Sequence, residues 1–212
     1  VFEYGQGYMG TDTPYLDFMK IIRRHCASTG RLVIAIENKY GLKYFAGCRE
    51  DHVGAYFAGI EDYPAGGGVR TFSRKGLERI CQQCGISDYH FYYPYPDYKF
   101  MTTVYSDEYL PRVGELTNNM RNFDRERMNL FDEKNAYDGL IRDGMFPEFS
   151  NSFLLVIGSQ PEQVYSKFSN DRAQQFAIRT DICKADNYYV EKHADLPQAS
   201  EHIQNLLKQD RL

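Results

Sequence analysis

Tryptophan is missing from this sequence, and so are a lysine- and arginine-rich block, a long apolar run, a signal-peptide pattern, an internal repeat and a low-complexity segment. Each absence removes a class of function. Lys and Arg together number 25 against 29 Asp and Glu, for a net charge of -4. The clustered cations that neutralise phosphates are therefore not there, and no nucleic-acid partner is expected. A helix that crosses a bilayer needs roughly 20 apolar residues in succession; none is found, so no membrane span is expected. Neither G-x-S-x-G nor H-E-x-x-H occurs, which leaves hydrolase chemistry without a nucleophile elbow or a zinc pair. Cysteine is scarce and odd in number, at five in 212 residues. A chain of that length with 42% hydrophobic residues can bury a core without covalent staples, so reduced thiols in the cytoplasm are expected rather than disulfides. Cys81-x-x-Cys84 has no companion pair at zinc spacing. Both thiols fall on the apolar face of an expected helix, and no metal ligands are assigned.

What is abundant is tyrosine, at 18 residues beside 14 phenylalanines, a composition suited to walls that both stack and hydrogen-bond. Thr13-Pro14 reads as the N-cap and first position of a helix, because proline there loses no needed amide. Tyr15, Phe18, Met19, Ile22 and Cys26 recur at helical spacing before Gly30 ends the unit. Arg31 to Glu37 follows as a near-continuous apolar β run, the pattern of a central parallel strand covered on both faces. Lys39 to Gly68 holds no period and reads as a long aromatic loop of the lid or insertion kind. Ser73 caps a helix with Leu77, Ile80, Cys81 and Cys84 on one face, closed by Gly85.

Tyr89 to Ser106 is an aromatic β segment, and Pro94 and Pro96 belong at a bulge or an edge. Asp124 to Asp143 reads as a helix with Tyr137, Leu140 and Ile141 inward, and Ser152 to Ile157 as a short buried strand that would close the sheet. Val164 to Ser169, Gln175 to Asp181 and Tyr188 to Lys192 form a meander, followed by an amphipathic helix from Pro197 to Lys208.

Gly5-Gln6-Gly7-Tyr8-Met9-Gly10 matches G-x-G-x-x-G and is followed by a helix, a strand and Glu37, the order of a dinucleotide-binding fingerprint. Pro14 places the helix start beyond the last glycine, whereas the fingerprint needs the helix N-terminus at the pyrophosphate. An NAD-dependent oxidoreductase built on Gly5 to Gly10 is thus one alternative, and a plain loop is the other reading of these glycines.

Three stretches, in order, resemble class I S-adenosylmethionine-dependent methyltransferases. Val1-Phe2-Glu3-Tyr4 resembles the V-L-E-H that follows the fourth strand of that family. Ser28-Thr29-Gly30-Arg31-Leu32 resembles its P-G-G-x-L turn into the fifth strand. Val69-Arg70-Thr71-Phe72-Ser73, with Leu77 and Gly85, resembles its H-x-R-x-F-S, helix and A-G-F pattern. GLKYFAGCREDH and YYPYPDYKF are similar to a subgroup associated with bacterial surface-glycan loci.

The resemblance implies an α/β fold: an incomplete Rossmann-like methyltransferase domain over 1–158, followed by the start of a small α+β domain over 159–212. It implies S-adenosylmethionine as cofactor, with Phe2, Glu3 and Tyr4 against it, and a saccharide or glycan-precursor hydroxyl as methyl acceptor. Tyr4 stands where the family has His, and Thr29 where it has Pro. The strand, glycine loop and acidic residue that hold the cofactor's methionine and ribose have no counterpart here. The chain, opening on Val1 inside an apolar run, is therefore expected to be a piece of a longer enzyme, poor at cofactor binding and self-associating when alone.

Taking a proton from the acceptor requires a base, and His52 and Asp51, in Arg49-Glu50-Asp51-His52, are the candidates. A glycan-binding or scaffolding module without catalysis is the second alternative. The tail resembles the opening of a kinase-like N-lobe, which would set Lys192 toward nucleotide phosphates and Glu201 beside it.

Overall fold

The computed structural model describes residues 1–66, 68–119, 126–169, 172–173 and 176–194. The described chain is a mixed α/β fold built on one sheet. A 3-10 turn (Phe2–Tyr4) runs into a helical turn, α1 (Gly5–Tyr8), and then α2 (Pro14–Arg24), β1 (Leu32–Glu37) and α3 (Leu42–Phe45). After these come α4 (Arg74–Gln83), β2 (Tyr89–Tyr95), β3 (Thr103–Ser106), α5 (Glu133–Arg142), α6 (Phe146–Phe149) and β4 (Ser152–Ile157). The last three strands are β5 (Gln163–Ser169), β6 (Ile178–Lys184) and β7 (Tyr188–Ala194). The sheet order is β1-β4-β2-β3-β5-β6-β7, and every neighbouring pair is antiparallel. Since β1 and β2 both oppose β4, they run parallel to each other with α4 between them in sequence.

Period-2 alternation in β4 explains its unbroken apolar run. Phe153, Leu155 and Ile157 enter the main core with Ile34, Ile36, Phe91, Tyr93, Met19 and Leu77. Val156 points the other way, into a smaller cluster with Tyr92 and Val104 that Leu154 also packs against. Full burial of such side chains is worth about 1.5–3 kcal/mol each, so SFLLVI anchors both faces of the sheet. Ser73 caps α4 by accepting from the Gly76 amide at 3.1 Å, and Cys81 is fully buried in the main core. Burial pushes the Cys81 thiol up to about 12, which suits a structural cysteine.

Several expectations are corrected. Arg31 to Glu37 is not a central parallel strand: among the described residues β1 pairs with β4 alone, antiparallel, and Val33 is 55% exposed. An apolar run fits a strand covered on both faces, but the smaller cluster does not extend to β1, so one face of its middle stays open. Ser152–Ile157 is the short buried strand expected, and it lies between β1 and β2. The expected helix from Asp124 begins only at Glu133, with Tyr137 buried as anticipated. Residues 120–125 lie outside the described residues, as do Gln175, the Pro197 to Lys208 helix and Glu201.

Tyr89 to Ser106 divides into a hairpin. Pro94 sits opposite Val104 of β3, beyond the Tyr89–Tyr92 stretch that pairs with β4, so its missing amide breaks no ladder bond on that side. The three tail strands form as expected, and β5 pairs with β3, so the sheet crosses residue 158 without interruption.

Candidate functional site

The C-terminal end of β1 delivers Glu37 and Asn38, both fully buried. Asn38 fixes the chain's exit. Its Nδ2 donates to the Glu148 and Ser150 carbonyls at 2.8 Å each, and its Oδ1 accepts from the Tyr40 amide at 3.0 Å. Asn151 does the same from β4's side, accepting from the Lys43 amide and donating to the Pro96 carbonyl, both at 3.0 Å. Ser152 Oγ accepts from the Tyr98 amide at 2.9 Å. These buried amides and hydroxyls bring three distant segments to one place, because each polar group must find a partner once water is excluded.

Glu37 is the centre of what they assemble. Lys99 Nζ lies 2.6 Å from Glu37 Oε1, and the Tyr98 hydroxyl donates to the same oxygen at 3.2 Å. His52 Nε2 is 3.4 Å from Glu37 Oε2. On its other side, His52 Nδ1 is 3.3 Å from the Tyr4 hydroxyl, with the two rings edge-on at 5.5 Å. Burial opposes charge on Glu37, yet the hydrogen bonds from His52 and Lys99 outweigh it and hold the carboxyl well below the usual range. The hydrogen bond to Glu37 raises His52 above the ordinary imidazole value, against partial burial.

Asp51 belongs to an adjoining part of the cluster. Lys43 Nζ sits 2.8 Å from Asp51 Oδ2 and 3.0 Å from Asp97 Oδ2, and the Tyr44 hydroxyl donates to Asp51. Burial alone would lower the Lys43 ammonium; Asp97 and Asp51 reverse that and raise it. Glu50, also buried, accepts from the His52 and Val53 amides at 2.8 and 2.5 Å and from the Tyr63 hydroxyl at 3.1 Å. Four carboxylates (Glu37, Glu50, Asp51, Asp97) thus meet two ammonium groups (Lys43, Lys99) around one imidazole. The cluster favours a positive charge at its open side.

The residues proposed from sequence separate here. Tyr4 and His52 meet, and Tyr4 is 40% exposed, so it borders the approach to the imidazole. Asp51 neighbours His52 in the chain, but its partners include the Lys43 and Lys99 ammonium groups and the Tyr44 hydroxyl. The carboxylate facing the imidazole is Glu37. Phe2 is a core residue against Tyr15, Phe18 and Phe72. Glu3 is buried, with its carboxylate on the N-terminal amine at 2.7 Å and its carbonyl accepting from the Arg70 amide at 3.0 Å. Of these three residues, Tyr4 presents the most surface to a ligand.

Gly5 to Tyr8 is a helical turn preceded by a 3-10 turn, without the strand-to-helix bend that a dinucleotide fingerprint requires. Sequence reasoning missed Lys43, Asp97, Tyr98 and Lys99 as partners of the site. The signal was an acidic residue ending an apolar strand, since a carboxylate placed there must recruit cations or donors.

Two cavities of about 300 and 370 Å³ lie where α2 and α4 meet Arg70 and Phe72. Neither is lined by His52 or Glu37. No helix among the described residues is long and apolar enough to cross a membrane.

No family profile, curated protein or solved structure matches the chain.

Proposed function

We propose that this chain is part of an enzyme that transfers a methyl group from S-adenosylmethionine to a saccharide or glycan-precursor hydroxyl in the cytoplasm, with His52 as the base. The observation that carries the reading is the imidazole held on one nitrogen by buried Glu37 and bordered on the other by exposed Tyr4. A base oriented by a carboxylate and open on its far side can receive a hydroxyl proton. The acceptor would take the place of the Tyr4 hydroxyl at Nδ1. Methyl transfer itself is an in-line displacement on an already activated sulfonium, so alignment is the protein's main contribution.

Two further features support this reading. The surplus of carboxylates favours a cationic ligand, and the Tyr4 ring offers a face to a sulfonium. Every neighbouring strand pair of the sheet is antiparallel, so the sheet does not support a Rossmann-like arrangement, and that part of the reading rests on the motif resemblance alone. The methyl donor and the glycan acceptor rest on the motif resemblance. In this reading Asp51 fixes Lys43 rather than taking the proton.

The test is transfer of labelled methyl from S-adenosylmethionine to glycan precursors, using the protein together with any residues encoded upstream of Val1. Wild type should label the acceptor, while His52→Ala should lose the label at least a hundredfold with an unchanged circular dichroism spectrum. Absence of transfer in the wild type, or full transfer by His52→Ala, would overturn the assignment.

A further inference from the structure

A second polar cluster lies far along the sheet. Strand alternation puts Arg179, Asp181 and Cys183 of β6 on one face with Tyr189, Glu191 and His193 of β7, and the register sets Asp181 directly opposite Glu191 and Arg179 opposite His193. Like charges in direct cross-strand opposition are destabilising. Arg179 Nε reaches Asp181 Oδ2 at 3.0 Å, which offsets one of the two carboxylates and leaves the other.

His193 Nε2 stands 3.1 Å from Asp181 Oδ2 and 3.4 Å from Glu191 Oε2. Despite this closeness, His193 Nε2 and Asp181 Oδ1 are buried atoms with no hydrogen-bond partner among the described residues, and Asp181 is only 1% exposed. Buried polar atoms in native proteins almost always have a partner, so two orphans in one cluster call for an explanation. One ligand atom from each of Asp181, Glu191 and His193 lies within 4.8 Å of the others. A tetrahedral ion with bonds of ~2.0–2.2 Å to nitrogen and oxygen holds its ligand atoms roughly 3.3–3.6 Å apart. The two observed separations are close to that edge length.

We propose that Asp181, Glu191 and His193 bind a divalent transition-metal cation of the zinc type. Imidazole with carboxylates is a donor set that such ions accept, and a dication cancels the opposed carboxylates. Arg179 holds the Asp181 carboxylate in orientation from outside the ligand set. Three protein ligands leave a fourth position for water, and the ion ties β6 to β7.

The experiment is titration of the full chain with Co²⁺ in chelator-free buffer, read by visible absorption. One equivalent should bind with the intense d–d bands of a four- or five-coordinate ion. His193→Gln and Asp181→Asn should each weaken binding at least tenfold, while Cys183→Ser and the double Cys81→Ser, Cys84→Ser variant should leave it unchanged. Metal-free thermal melts check folding. If Asp181→Asn does not fold, His193→Gln decides, since that side chain is 40% exposed. No bound cobalt, bands that persist in His193→Gln, or bands lost with the cysteines would each overturn the proposal.

Discussion

At the scale of single residues, the site depends on charges held where water does not reach. Lys43 is the clearest case, since its side chain and those of Asp51 and Asp97 are all about nine-tenths buried. Lys43→Met should cost about 3–5 kcal/mol in urea denaturation, because it takes an ammonium group away from two buried carboxylates. Adding Asp97→Asn should recover part of that loss. Glu37→Gln should cost less, about 2 kcal/mol, since Lys99 is one-third exposed and water screens it.

The pH dependence follows from the directions of the shifts. His52 is raised in the folded state, so its stabilising contribution is complete below the unfolded imidazole value of ~6.5 and disappears as pH rises through the higher folded value. The difference in stability between wild type and His52→Gln should therefore shrink as pH is raised above ~6.5. Over the same interval kcat/KM should rise, because a base must be neutral. A flat profile in both measurements would remove His52 from the role. His52 itself was legible in the sequence as a histidine in an acidic loop. Its true partner was not, because Asp51 is adjacent in the chain while Glu37 is adjacent only once β1 and the loop are folded.

Among the elements, local chemistry was the most readable part. Pro14 starts α2 and Ser73 caps α4 as their positions in the sequence implied. Ser73→Ala should cost about 1 kcal/mol, measured by thermal melting, by leaving the Gly76 amide without its acceptor. Strand partners were less readable, because apolar content reports burial and says little about direction or neighbour. The apolar run of β1 reads as a parallel central strand on that ground, whereas its exposed Val33 shows that one face is open. Gly47 was also outside the reach of sequence reasoning, which saw only a glycine in a long loop. Its φ is +109°, and an added Cβ would lie 2.5 Å from the Met128 carbonyl oxygen. Gly47→Ala should destabilise by more than the 1–3 kcal/mol of backbone strain alone, since the segment at Met128 must also shift; a loss under about 1 kcal/mol in urea denaturation would show that the packing is looser.

For the molecule as a whole, the sheet places the His52 cluster at the end of β1 and the Asp181 cluster on the β6–β7 hairpin. Among the described residues the outer side of β1 has no strand partner, and Val33 on this strand is exposed, a template for association. Val33→Lys should therefore raise the monomer fraction in light scattering without lowering the melting temperature by more than a few degrees. A variant that associates as strongly as wild type would place the contact elsewhere.

The register of β1 also has a consequence for synthesis. Leu32 meets Ile157 and Glu37 meets Ser152, so among the described residues β1 meets its sheet partner only when synthesis has reached β4. Long-range pairing of this kind is slow and leaves apolar strands open to capture. Nascent chains arrested before Ser152 should therefore be held by chaperones and digested readily by protease, and the site around Glu37 should take shape only when β4 emerges.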